Sequence, residues 1–244
     1  PLSTDMYLPG LPALAALVQV DAGGAQLSLT LFMLAFAVGH LVFGPVSDRF
    51  GRKPVVLTGI MVYAAGSVLC ALAPGYGWLL TGRAAQALGA ACCVVNARAI
   101  VRDRYGAAGS GAMMAYATGG MAIVAAFSPS TGGLLVTVLG WQAVFWTLLA
   151  IALALALVYA LRVPETLPPE QRGSGGLRGQ VLGLQVLLRD RVFAGYLLTG
   201  AGVYASLFAF IVGAPYVFID HLGVSPGRFG LLFTTLSVTY FLFS

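Results

Sequence analysis

Gly44-Pro45-Val46-Ser47-Asp48-Arg49-Phe50-Gly51-Arg52-Lys53-Pro54 decides how this chain is read. The stretch holds one acid, three bases, two glycines and two prolines. Apolar runs flank it, about Gln26–Val46 and Pro54–Leu72, each close to the roughly 20 residues a helix needs to cross a bilayer. Charged residues make up only 9% of the 244, so a knot of charge between two such runs marks a turn at a membrane surface.

The rest of the chain repeats this pattern. It is 59% hydrophobic with a mean hydropathy of +0.91, too apolar for a soluble domain, which is about 45–50% apolar and about 25% charged. Further spans read as Pro1–Val18, Trp78–Val101, Ala112–Leu139, Trp141–Leu161 and Phe193–Ile219, with an eighth from Gly227 to Ser244. The first and last read as incomplete. The expectation is therefore an all-α membrane protein, a fragment running from a truncated span 1 to a truncated span 8. Residues 1–162 form a six-helix N-terminal half, 163–190 a cytoplasmic linker and 191–244 the start of a second half. A faint echo supports two parallel halves: Val20, Gly23, Leu27 and Thr30 recur in register as Val224, Gly227, Leu231 and Thr234.

Charge sets orientation. Eleven of the 13 basic residues fall in the turns after spans 2, 4 and 6, which places those turns in the cytoplasm. The net charge of +5 thus belongs to loops beside spans and does not point to nucleic acid. Cys70, Cys92 and Cys93 lie in apolar segments and read as packing residues, with no metal-ligand spacing. No P-loop, His-Glu-x-x-His or Gly-x-Ser-x-Gly pattern occurs. The reading is a non-enzyme without cofactors, powered by an ion gradient.

Ionisable groups inside spans are costly and mark function. Asp5 stands in Thr4-Asp5-Met6-Tyr7-Leu8-Pro9, where prolines kink span 1 and free carbonyls; a desolvated carboxylate there can exchange a proton near neutral pH. The alternative is a helix cap at the membrane surface. Arg83 lies within span 4, with Gln86 on the same face, and Asp5 is its candidate partner; the alternative is an arginine snorkelling to the outer interface. His40 reads as a packing residue in span 2. Asp103 reads as a surface partner of the Gly44–Lys53 turn. Pro129, Gly132 and Gly133, after Gly119 and Gly120, suggest a kinked helix packed closely at an interface between halves.

Taken together, these residues resemble the major facilitator superfamily of transporters. Gly44, Asp48, Arg49, Gly51, Arg52 and Lys53 match its signature between spans 2 and 3, Gly-x-x-x-Asp-Arg-x-Gly-Arg-Arg/Lys. Arg83-x-x-Gln86-x-x-Gly89 resembles its span-4 motif, Asp5-Met6-Tyr7-Leu8-Pro9 the span-1 motif of twelve-span drug:proton antiporters, and Pro129-x-x-Gly132-Gly133 their span-5 motif, with Ser128 where glycine is usual. Pro164-Glu165-Thr166-Leu167 resembles the close of span 6. The nearest resemblance is to the Bcr/CflA branch of bicyclomycin-resistance and chloramphenicol-efflux proteins. It implies a major facilitator fold and a monomer in the bacterial inner membrane that exchanges small-molecule drugs for protons. Asp5, Arg83 and Gln86 would couple protons, and Tyr7 and Tyr116 would line the drug cavity. The Gly44–Lys53 turn, with Asp103, would gate the cytoplasmic side. A proton symporter for a metabolite and a transport-inactive receptor are the rival readings.

Overall fold

The computed structural model describes residues 2–17, 19–173 and 187–243. Among the described residues these helical elements follow in order: α1 Leu2–Asp5, α2 Leu11–Leu17, α3 Ala22–Phe50, α4 Arg52–Ala71, α5 Tyr76–Leu139, α6 Gln142–Arg162, α7 Arg191–Pro215 and α8 Pro226–Phe243. Six stretches among the described residues are long and apolar enough to cross a membrane, by length and composition. Their outward faces carry leucine and valine, such as Leu34, Leu41, Leu157 and Leu161, as a lipid-facing surface requires.

Local chemistry sets the helix ends. The Asp21 carboxylate caps α3 by accepting from the Gly24 N–H at 2.7 Å, and Asp190 caps α7 through Val192 and Phe193. Gly51, at φ +96°, ends α3 in a conformation open to glycine. The spans expected at Trp78–Val101 and Ala112–Leu139 are longer than read: α5 is two helices, Tyr76–Gly106 and Gly109–Leu139, that meet at a kink at Gly106 (φ +66°), with the basic cluster Arg98–Arg104 just before it.

The first span is broken. α1 stops at Asp5, a 3-10 turn occupies Leu8–Gly10, and α2 follows. At the break the Tyr7 N–H bonds to the Thr4 carbonyl rather than to Ser3, which leaves the Ser3 carbonyl free for another partner. This interrupted segment is deeply buried: Met6, Tyr7, Leu8, Leu11 and Leu14 are covered by Phe145 and Leu148 of α6 and Leu79 of α5. Irregular backbone at membrane depth is tolerated only where protein covers it in this way.

The expected linker, 163–190, is not loose at its start. Glu165 and Gly173 both bond to the α3–α4 turn. Its middle, including Arg178, lies outside the described residues, as do Pro1 and Ser244 at the ends of spans 1 and 8.

Candidate functional site

Among the described residues, two charged side chains are buried: Arg83 at 0% exposure and Arg52 at 4%. They are satisfied in opposite ways. Arg52 is held by carboxylates and Arg83 by neutral groups.

Arg83 projects from α5 toward the broken first span. Its Nη1 donates to the freed Ser3 carbonyl at 2.8 Å and to Gln86 Oε1 at 2.9 Å. The guanidinium lies over two ring faces, Phe32 at 4.3 Å and Tyr7 at 4.6 Å, where aromatic quadrupoles partly replace hydration. Nε and Nη2 are buried and make no hydrogen bond. Gln86 passes the chain on: its Nε2 donates to Ser67 Oγ at 2.8 Å, and Ser67 donates to the Tyr63 carbonyl at 2.9 Å. The sequence-based pairing of Arg83 with Asp5 is therefore corrected. Asp5 accepts from its neighbour Thr4 at 2.9 Å, and no carboxylate lies within ion-pair distance of Arg83 among the described residues. The snorkelling alternative fails too, because the guanidinium is sealed inside the bundle.

Tyr7 is also corrected. It is 2% exposed, its hydroxyl shares a hydrogen bond with Ser28 at 3.0 Å, and its ring packs on Phe145. It supports Arg83 and does not line the cavity of about 630 Å³ within the bundle. Neither does Tyr116, which is 76% exposed on the second limb of α5. His40 does border that cavity, its Nδ1–H donating to the Phe36 carbonyl at 2.9 Å.

The second cluster joins three basic turns at one end of the bundle. Arg52 Nη1 meets Asp48 at 2.6 Å and Ser47 Oγ at 2.6 Å, while its Nε meets Asp103 at 3.1 Å. Asp103 is thus the partner of this turn that the sequence suggested. Arg49 is not part of the clamp: it rests over the Phe50 ring at 5.4 Å. Lys53 donates to the Ala160 carbonyl at 2.8 Å. Glu165, which the sequence placed in the motif closing span 6 but gave no role, completes the cluster. Its carboxylate accepts the backbone N–H groups of Arg52 (2.9 Å) and Lys53 (3.1 Å) at the start of α4, and those of Thr166 and Leu167 at 3.0 Å. Partial burial alone would raise this carboxyl. The N–H donors of Leu167, Arg52, Lys53 and Thr166 outweigh it and hold the group below the usual carboxylate range. A side chain at Gly51 would strike Glu165 Oε2 at 2.6 Å, so the signature glycine is fixed by contact as well as by φ.

The span-5 motif does bring helices together. A methyl at Gly132 would collide with the Met6 carbonyl of the broken span, and one at Gly133 with the Pro226 carbonyl of α8. Ser130 bonds to Thr234 of α8 at 2.5 Å. Pro129 lies within this limb of α5, and its carbonyl faces Gly230 of α8. Gly119 and Gly120 have open space beside them, contrary to the packing read for them. Among the described residues no His, Cys, Asp and Glu group could hold a metal.

The profile of the family described as "Major Facilitator Superfamily" matches residues 1–244. The chain is 37% identical over 235 residues to "Uncharacterized MFS-type transporter YdgK" of Bacillus subtilis, covering 96% of this chain and 58% of that protein. It is 36% identical over 239 residues to a "Chloramphenicol resistance protein" of Pseudomonas aeruginosa, covering 97% and 56%. To "Multidrug resistance protein MdtL" of Citrobacter koseri it is 29% identical, covering 98% and 60%. The chain thus spans a little under three fifths of the length of the first two relatives. In fold it is similar to the crystal structure of the human organic anion transporter MFSD10, with a TM-score of 0.57 at 19% identity over 96% of this chain and 60% of that one.

Proposed function

The chain belongs to the Major Facilitator Superfamily, and from that premise we propose that it is part of a proton-coupled exporter of drugs or other small molecules, of the Bcr/CflA branch, in the bacterial inner membrane. The observation that carries this reading is the buried Arg83, fixed to a carbonyl that the break beside Asp5 has freed. A buried cation with two unspent donors next to an acid-bearing break is suited to respond to a proton, because either charge state of Asp5 changes what the guanidinium gains by staying. The relatives named for chloramphenicol and multidrug resistance support a drug as cargo.

In this reading Asp5 takes up and releases the proton. Arg83 and Gln86 sense its charge, and Tyr7 holds Arg83. Residues 1–162 and the half beginning at 191 rock about the contact of α5 with α8, where Gly132 and Gly133 permit close approach. The 163–190 segment joins the halves. Arg52, with Asp48 and Asp103, holds the cytoplasmic ends together in one state and releases them in the other. The protein acts as a monomer, without a cofactor.

The test is chloramphenicol efflux from proteoliposomes holding the full-length protein under an imposed pH gradient. Asp5→Asn abolishes gradient-driven efflux while retaining chloramphenicol binding. Unchanged pH-dependent efflux in that variant overturns the role of Asp5, and drug accumulation with the proton would favour symport.

A further inference from the structure

The hydrogen bonds around Arg83 close into a ring, and three of its members, Ser3, Tyr63 and Ser67, are in no sequence motif. Ser3 presents its carbonyl to Arg83 at 2.8 Å, and its hydroxyl meets the Tyr63 hydroxyl at 2.7 Å. Tyr63 stands on α4 one turn before Ser67, so both point the same way. Ser67 donates to the Tyr63 carbonyl, receives from Gln86, and Gln86 accepts from Arg83. Two arms of α4 thus converge on one guanidinium: Ser67 reaches it from the α5 side through Gln86, and Tyr63 from the first span through Ser3. α4 is close enough for this because Gly66 lies against the α5 backbone, where a methyl would stand 2.7 Å from both Gln86 N and the Gly82 carbonyl.

We infer that Tyr63 is a positioning residue, tethering the broken first span to α4 and so holding the Ser3 carbonyl where Arg83 binds it. This rests on the transport reading above. α1 has only four residues and ends at the break, so its own helical hydrogen bonds hold it weakly. The Ser3–Tyr63 bond ties it to a full-length span. Without the bond the Ser3 carbonyl drifts, and Arg83 loses one of its two acceptors while remaining buried. Tyr63 acts on Ser3, so its effect falls on the transport step rather than on drug affinity.

The experiment uses the full-length protein in proteoliposomes with chloramphenicol as the probe, beside thermal unfolding of the same variants in detergent. Tyr63→Phe lowers kcat of gradient-driven efflux about tenfold with KM unchanged, the loss expected when one partly buried hydrogen bond is removed and its partner left unsatisfied. Ser3→Ala does the same. The double variant is no worse than either single one in kcat or in Tm, and Ser3→Thr, which keeps a hydroxyl, retains activity. Additive losses, or a KM change with kcat intact, overturn the tether. Non-additive Tm losses with normal kcat reduce the bond to structure and overturn the positioning role. A parent protein with no gradient-driven efflux overturns the transport reading itself, and the Tm cycle then still reports whether the tether exists.

Discussion

Replacing Glu165 with glutamine tests the Arg52 clamp through its least conspicuous member. One carboxylate oxygen accepts from Arg52, Thr166 and Leu167 N–H and the other from Lys53 N–H, with Arg172 at 3.8 Å. In Glu165→Gln one oxygen becomes an NH2 group, which cannot accept from an N–H donor. The two bonds to Arg52 and Lys53 stand in for a helix cap on α4, a contribution of about 0.5–2 kcal/mol. The Arg172 contact adds less than about 1 kcal/mol, since both side chains reach solvent. The expected loss is therefore about 1–2 kcal/mol at pH 7. It depends on pH in a set direction. The folded state holds Glu165 below its ordinary range, so its contribution is fully present above about 4.3, the value of a free glutamate, and is lost as pH falls through the lower folded value. A protonated glutamate and a glutamine are nearly isosteric, so the gap between parent and variant narrows toward zero as pH falls through the lowered folded value. Chemical unfolding of the purified full-length protein at pH 7 and at successive steps down to pH 3 measures it. A gap that stays constant across that range would refute the argument, because the loss would then owe nothing to the carboxylate charge.

Arg52→Lys keeps the charge but not the fork that meets Asp48 and Asp103 at once; it should cost about 2 kcal/mol in the same unfolding assay, and a neutral result would remove Arg52 from the clamp. Asp48→Asn should slow efflux with chloramphenicol binding intact, as measured by equilibrium binding beside transport; lost binding would count against a gating role. Gly132→Ala drives a methyl into the Met6 carbonyl and should lower stability by about 1–3 kcal/mol or prevent accumulation of folded protein, whereas Gly119→Ala, with open space beside it, should be neutral or slightly stabilising. Equal effects at the two positions would mean that helix propensity, not contact, governs this limb.

Much of the fold was legible because hydrocarbon imposes its own code. Span length, the scarcity of charge and the gathering of arginines in alternate turns each follow from the cost of placing a polar group in lipid. The Gly44–Lys53 turn and Asp103 were legible for the same reason: charge at a membrane surface needs a nearby partner, and few were on offer. Of the two acceptors of Arg83, Gln86 was legible from its spacing and the Ser3 carbonyl was not. Sequence logic sought a carboxylate, while the fold supplied a backbone carbonyl, which every residue possesses and which no pattern of side chains distinguishes. Glu165 escaped for a related reason. It binds main-chain N–H groups 112 and 113 residues away, so nothing in the identity of its partners marks it. Tyr7 and Tyr116 were assigned by residue type, and their places diverged because one lies on the inward side of a broken span and the other on an exposed face of α5.

The amino-acid sequence by itself determined that this chain crosses a membrane repeatedly, which turns share one side and which few ionisable groups enter the spans, since each of these depends on composition summed over lengths of chain. Only the tertiary structure decided how those groups are satisfied. The charged knot at Gly44–Pro54 became a clamp when Asp103 and Glu165 arrived from distant positions, and Arg83 became stable in the bundle when a break in the first span freed a carbonyl beside it. Hydrogen bonds and ion pairs act over about 3 Å, and chain order does not specify which distant groups the packing will bring within that reach.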